Sequence, residues 1–418
     1  MIDTFLMVLF SSLVFVNAIM IIVFLFPDRK TKTGFCPPVS VIIPAHNEEK
    51  YIASTIKSVQ DSDYKNKKEI IVVDDGSIDN TAKIVRDIAK KNKNVRMFSI
   101  KHSGKSEAIN YGIRKARFDI IAYVDADSTL GDKSLMKLVE PLAAENTAIS
   151  SGIIRARTTN NPLSWFQDLD YIVSSSWRYV CGKLNAIYIA PGFAAFKKKF
   201  ILKVGGFSKD TLTEDLDTTL VLRKAGYDAA MTSAVIFTSV PSTLRSLIRQ
   251  RIRWGRGSIQ SAKKHSDVIF SKKRGLFGLY TFPMHLFWYV FALIYMPFAI
   301  YWVVSVYLSS SLSALGTILF LVKWFTIYGI ADLFYNTLNG SYALTPLLAP
   351  IMASWLLSFA YLLLSMKKFS GFSWRVISYV VMFPYFWINF MIQGLVLVYE
   401  SLTHNKGNVW NKHGGNSV

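Results

Sequence analysis

Apolar residues are spread unevenly along the chain. Long unbroken blocks near both ends enclose a middle in which short apolar runs alternate with polar, helix-forming segments. The block from Leu6 to Phe26 is nearly free of polar groups and long enough to cross a bilayer. Four late blocks, about Phe282–Leu308, Leu312–Phe334, Leu344–Met366 and Val376–Tyr399, read the same way. Met1-Ile2-Asp3-Thr4 carries no Lys or Arg, and no small-residue cleavage site follows Phe26, so a retained anchor is expected rather than a secretory signal. Arg29, Lys30 and Lys32 come next and put the middle of the chain in the cytoplasm and the N-terminus outside. With five spans the C-terminus is cytoplasmic too, although Lys367, Lys368 and Arg375 then fall in an outward loop, against the charge rule.

In the middle, Val39–Pro44, Glu69–Val73, Val95–Ile100 and Ile120–Val124 read as strands, separated by helices over Ile52–Gln60, Asn80–Lys90 and from Gly104 through Asn110. Strands alternating with helices predict a parallel α/β sheet, in which ligands bind beyond the carboxyl ends of the strands. Three polar clusters fall at such ends: Pro44-Ala45-His46-Asn47-Glu48, Asp74-Asp75-Gly76-Ser77 and Asp125-Ala126-Asp127. Side-chain alternation at a strand end turns Asp125 and Asp127 to one side, where hard carboxylate oxygens suit Mg²⁺ or Mn²⁺. The plainer alternative is a turn whose aspartates cap the next helix. Asp75 either belongs to a tight turn or takes the base or ribose of a nucleotide, and Lys105 is either a solvated lysine or a diphosphate ligand. His46 and Asn47 fit a helix-capping loop equally well.

Further on, Ala190–Phe196 reads as a small-residue loop in which Gly192 allows close approach of a ligand. Thr213-Glu214-Asp215 opens a helix running to Lys224; its acids either serve the helix dipole or supply a general base at Asp215. From Leu244 to Ile259 the apolar residues recur at helical spacing, with Arg245, Arg249, Arg253 and Arg256 largely elsewhere. That pattern predicts a basic amphipathic helix at the membrane surface, carrying Gln250-Arg251-Ile252-Arg253-Trp254 and followed by a basic tract from Lys263 to Arg274.

Charge sharpens this picture. The net charge is +20, and all but six of the basic and three of the acidic residues lie between positions 27 and 280. Such an excess suits anionic lipid headgroups or a nucleotide; no nucleic-acid motif accompanies it. Cys36 and Cys181 are the only cysteines and far apart, which fits a reducing cytosol without a disulfide framework.

Four landmarks then stand in a telling order: Asp-Asp-Gly-Ser at 74–77, Asp-x-Asp at 125–127, Thr-Glu-Asp at 213–215 and Gln-x-x-Arg-Trp at 250–254. From Val39 to Trp254 the chain resembles the membrane-integrated, processive family-two glycosyltransferases, which include cellulose, chitin, hyaluronan and poly-N-acetylglucosamine synthases. Phe383-Pro384-Tyr385-Phe386-Trp387, with Trp410, looks most like the last branch. Two features depart from it: one N-terminal span is found rather than two, and Asn411, not Arg, follows Trp410. The resemblance implies an α/β GT-A catalytic domain joined to a transmembrane helical region, a UDP-sugar donor, best read as UDP-N-acetylglucosamine, and Mg²⁺ or Mn²⁺. By matching positions it gives Asp75 to uridine, Lys105 and Arg253 to the diphosphate, and Asp125 and Asp127 to diphosphate and metal. Asp215 becomes the base with Glu214 beside it, Gln250 and Trp254 shape the acceptor site, and Pro44, His46, Asn47, Glu48 and Gly192 line the substrate.

The expected division is an N-terminal transmembrane helix (1–27), a cytoplasmic catalytic domain (28–240), interface helices (241–280), about four spans (281–400) and a cytoplasmic tail (401–418). The expected setting is the cell membrane, with a glycan or lipid acceptor, the bilayer and unidentified export proteins as partners, and no nucleic acid. Processive polysaccharide synthesis leads. Single transfer to a polyprenyl-phosphate, ceramide or diacylglycerol lipid follows, and a non-catalytic membrane scaffold stands last.

Overall fold

The computed structural model describes residues 2–28, 34–371 and 383–403. The basic linker at Arg29, Lys30 and Lys32, Arg375, the start of the fifth expected span and Trp410 lie outside the described residues. In chain order, α1 (Ile2–Leu25) precedes an alternating series: β1 (Val39–Ala45), α2 (Ile52–Asp61), β2 (Lys68–Asp75), α3 (Thr81–Lys91), β3 (Val95–Ile100), α4 (Lys105–Lys115) and β4 (Ile120–Val124). Then come β5 (Ser128–Leu130), α5 (Ser134–Val139), β6 (Thr147–Ala156), α6 (Pro162–Lys183), β7 (Phe193–Lys197), α7 (Lys198–Lys203), α8 (Glu214–Lys224) and β8 (Asp228–Thr238). The chain continues with α9 (Leu244–Lys264), α10 (Phe282–Ser309), α11 (Ala314–Phe325), α12 (Tyr328–Leu338), α13 (Leu348–Phe369) and α14 (Phe383–Leu402).

The strands form one eight-stranded sheet in the order β3-β2-β1-β4-β7-β6-β8-β5. The four runs legible as strands make its parallel half. They read as unbroken apolar stretches because both faces are covered: Val39, Val41 and Ile43 of β1 join one core, and Ile42 joins the other. The expectation of a wholly parallel sheet is corrected beyond β4, since β7 runs antiparallel to both β4 and β6. The stretch expected to be a loop over 190–196 is a loop only at its start. Its alanines hide a strand whose Phe193 and Phe196 are fully buried on opposite faces, as the two-residue period requires.

Among the described residues, three helices, Leu6–Leu25, Phe277–Ser309 and Leu348–Phe369, are long and apolar enough to cross a membrane. The span expected over 312–334 falls on a pair of helices, α11 and α12, bent by 89°. Thr326 makes the corner. Its backbone is extended, and its hydroxyl donates to Val322 O at 2.6 Å while accepting from Tyr328 N at 3.2 Å. The two arms are bridged by Lys323 and Asp332, 2.6 Å apart. At the far end of α1, Asp28 accepts from the Tyr179 hydroxyl and pairs with Lys183 and Lys368 at 3.5 and 3.2 Å, joining α1 to α6 and α13. Thr243 opens α9 with a capping box to Ser246, and Arg256 of α9 pairs with buried Glu400 of α14.

Candidate active site

Lys105 is the first residue of α4, and its ammonium lies between Asp125 Oδ1 at 2.7 Å and Glu214 Oε1 at 2.9 Å. One cation thus joins the end of β4 to the first turn of α8. With its side chain 16% exposed, the pairs are poorly screened. Burial would lower the Lys105 pKa, but Asp125 and Glu214 hold it well above the usual lysine range. The neighbouring carboxylates of α8 are driven apart in the same field. Burial pushes Glu214 up, yet Lys105 and Arg253 win and hold it below the ordinary value. Asp215 has no such partner strength: burial and the Glu214 charge push it up to about 6, against Lys105. Adjacent acids separated in this way can divide the work of charge pairing and proton transfer.

Asp125 and Asp127 sit in a turn closed by Ser128 N to Asp125 O at 3.0 Å, so strand alternation does not orient them. Asp125 faces Lys105. Gly192, at φ 59, lets the chain pass beside it, since a Cβ there would lie 3.3 Å from Asp125 Oδ2. Asp127 is buried and held from another side, accepting from Ser128 Oγ at 3.1 Å and Thr238 Oγ1 at 3.2 Å. The two carboxylates are a hard donor set of the kind that Mg²⁺ and Mn²⁺ take.

Asp75 ends β2 and accepts from Ser103 N (2.7 Å) and Gly104 N (2.9 Å), with His102 Nδ1 3.0 Å away. His46 reaches the Asp75 carbonyl at 2.7 Å, and its ring lies 4.3 Å from that of His102. The ligand atoms of His46, Asp75 and His102 all lie within 4.8 Å of one another, a second group that could hold a metal. Sequence reading missed His102; its place at the end of β3, level with the other polar clusters, was the available signal. Asn47 stitches the β1 loop to the next one, its amide donating to Ser77 Oγ at 3.0 Å and its side chain accepting from Ile78 N at 2.9 Å. Pro44 lies within β1 and Glu48 is buried, its amide donating to Thr81 Oγ1 at 2.7 Å.

Arg253 of α9 donates to Leu212 O at 3.3 Å, beside the turn that opens α8, so it joins Lys105, Glu214 and Asp215. Trp254 lies under the Arg251 guanidinium at 4.6 Å, and Arg251 pairs with Asp170 of α6 at 2.7 Å and with the Tyr385 hydroxyl of α14. Gln250 Oε1 is buried without a donor among the described residues.

The chain has known relatives in sequence and in fold. The model of the family "Glycosyl transferase family 2" matches residues 40–205. The chain is 33% identical over 304 residues to the probable glycosyltransferase YdaM of Bacillus subtilis, covering 69% of this chain and 72% of that one. It is 30% identical over 226 residues to a poly-beta-1,6-N-acetyl-D-glucosamine synthase of Staphylococcus epidermidis, where the match spans 52% of this chain and 54% of that one. In architecture it is similar to the mannosyltransferase PcManGT from Pyrobaculum calidifontis, solved with GDP-Man and Mn²⁺. The TM-score is 0.58 at 22% identity, over 88% of this chain and 97% of that one, a likeness that establishes the GT-A fold. With its helices able to span a membrane and its acids and cations gathered where the parallel strands end, the chain belongs to glycosyltransferase family 2.

Proposed function

We propose that the chain moves N-acetylglucosamine from UDP to the end of a growing polysaccharide, with inversion, on the cytoplasmic side of the cell membrane, and passes the product outward among its late helices. The observation that carries this reading is the cluster at the strand ends: Lys105 between Asp125 and Glu214 at 2.7 and 2.9 Å, Arg253 donating to Leu212 O beside the same turn, and Asp215 next to Glu214, its carboxyl pushed up by burial and the Glu214 charge. Asp215 takes the proton of the acceptor hydroxyl as that oxygen attacks the anomeric carbon, and UDP leaves from the opposite face. Lys105 and Arg253 face the phosphates and stabilise the charge gathered on the leaving oxygen. When bound, a Mg²⁺ or Mn²⁺ ion on Asp125 and Asp127 adds to that positive field. Asp75 holds the uridine, with Pro44, His46, Asn47 and Glu48 behind it. Gly192 gives the sugar room, and Gln250 and Trp254 shape the acceptor subsite. The polymer reading is supported by the name of the staphylococcal relative.

Membranes incubated with a panel of labelled UDP-sugars, with the product then sized, test the whole reading. Long glycan made from UDP-N-acetylglucosamine is expected; absence of transfer from every UDP-sugar would end it. Because Asp215 must be ionised to accept a proton, kcat/KM is expected to fall as pH drops through about 6. A kcat/KM indifferent to pH across that range removes Asp215 from the base role. Asp127→Asn is expected to weaken Mn²⁺-dependent UDP binding, read by calorimetry, at least about tenfold, the loss that even outer-shell changes produce. Equal affinity in mutant and wild type would remove Asp127 from the metal.

A second reading has its own support. A cavity of about 1280 Å³ lies among α1, α10, α11, α12 and α13, and its walls include Phe10, Phe291, Trp302, Trp324 and Trp355. Apart from Lys323, Asp332 and a few hydroxyls, it offers a hydrocarbon chain more than a glycan. A one-sugar glycolipid as product would favour single transfer to a lipid.

A further inference from the structure

The same face of α9 that presents Arg253 also presents 257, 260 and 264, spaced as one helical stripe. Every one of these positions meets the segment that opens α8. Arg253 donates to Leu212 O, and Gln260 Oε1 accepts from Leu212 N at 3.1 Å. Gly257 lies against Thr213 so closely that a Cβ would come within 2.5 Å of Thr213 Cγ2. At the end of the stripe Lys264 Nζ reaches Asp217 Oδ2 at 2.9 Å, together with Asp210 Oδ2 and Ser208 Oγ, both at 3.0 Å.

The next residue, His265, closes this seam. Its Nε2 stands 2.6 Å from Asp217 Oδ1, with both residues almost fully buried. His265 Nδ1 is buried without a partner among the described residues, so the tautomer with its proton on Nε2 is the one that fits. Asp217 belongs to the first turn of α8, where its amide bonds Thr213 O at 3.1 Å. Two residues earlier in that turn stands Asp215. Burial alone would raise the Asp217 pKa, but the bonds from His265 and Lys264 hold it below the ordinary value, so it stays a carboxylate while Asp215 titrates. The far end of α8 is held by the same stretch of chain: Lys224 pairs with Asp267 at 2.8 Å, and Arg274 donates to Lys224 O.

We propose that Asp217, gripped by His265 and Lys264, is a positioning residue that fixes the first turn of α8 and so sets Asp215 in register with Arg253. The role rests on the proposed function in one respect, that Asp215 is the base. In this arrangement the three residues act on Asp215 through the turn. Positional errors of about 1 Å in a catalytic group cost on the order of 10²-fold, so a partly loosened turn is expected to show mainly in kcat.

The test compares His265→Ala and His265→Gln with wild type in purified full-length protein, using the nucleotide sugar of the panel that the wild type turns over fastest. Glutamine can return an N–H to Asp217; alanine cannot. For His265→Ala, kcat is expected to fall about tenfold with donor KM nearly unchanged, and His265→Gln to recover most of the loss. The amount of folded enzyme is counted by nucleotide binding, so that lost protein is not mistaken for lost positioning. Should His265→Ala not fold, Lys264→Met removes the other, half-exposed arm and is expected to lower kcat less, again at constant KM. Wild-type kcat per folded molecule in these variants, or equal loss in alanine and glutamine, overturns the proposal. An inactive wild type would count against the proposed function itself, whereas the grip is judged only by the ratio of variant to wild type.

Discussion

Replacing Asp215 by Asn is expected to leave nucleotide-sugar binding close to wild type while transfer falls by about 10²–10⁴-fold, the usual contribution of a general base. Calorimetry and a radiolabel assay on the same preparation separate the two effects. The substitution should also raise thermal stability. A carboxyl whose pKa rises on folding, here from 3.8 to about 6, contributes stability that is full below its unfolded value and lost as pH rises through the folded one. At neutral pH the ionised Asp215 is therefore a liability to the fold. Asp215→Asn would remove that liability, so the melting temperature of the variant should exceed wild type above about pH 6 and match it in acid. A variant that keeps near-wild-type turnover would show that some other group takes the proton.

Lys105→Met is expected to be the most disruptive single change at the site. It removes the cation shared by Asp125 and Glu214 and leaves carboxylates facing each other in a poorly hydrated cleft. Breaking a buried ion pair from one side typically costs about 3–5 kcal/mol. The loss should be greatest at neutral pH and shrink on acidification. Without Lys105 the folded pKa of Glu214 rises, and protonation then relieves the repulsion. Because Lys105 also restrains Asp215, any remaining activity should show its acidic limb at higher pH than wild type. Melting curves across pH check the first point and rate profiles the second. An unchanged melting temperature at neutral pH would mean that the ion pairs contribute nothing net.

Much of the parallel half of the sheet was legible because burial on both faces demands continuous β-branched runs, and the loops at the strand ends then fell together by topology alone. The Thr-Glu-Asp and Gln-x-x-Arg-Trp segments were legible as motifs; what was not legible was their mutual contact, since the stripe at 253, 257, 260 and 264 includes a glycine and a glutamine with no apolar signal. The later strands were hidden for a related reason. β8 is built from Ala229, Ala230, Thr232 and Ser233 among its apolar residues, and it gains strand character from β6 and β5, both far upstream in the sequence. The corner at Thr326 escaped notice because neither Pro nor Gly occupies it, and a threonine hydroxyl serving both arms leaves no pattern in hydropathy.

That corner has an electrical consequence. Lys323 and Asp332 are opposite charges lashed across a broken helix, so together they present no net charge to a voltage across the bilayer. Neutralising either one alone would leave a lone charge in an apolar setting, on which a full potential drop of 100 mV does work of about 2.3 kcal/mol. The intact hairpin should therefore keep its shape whether a cell is energised or not, while a variant lacking one partner should become sensitive to membrane potential.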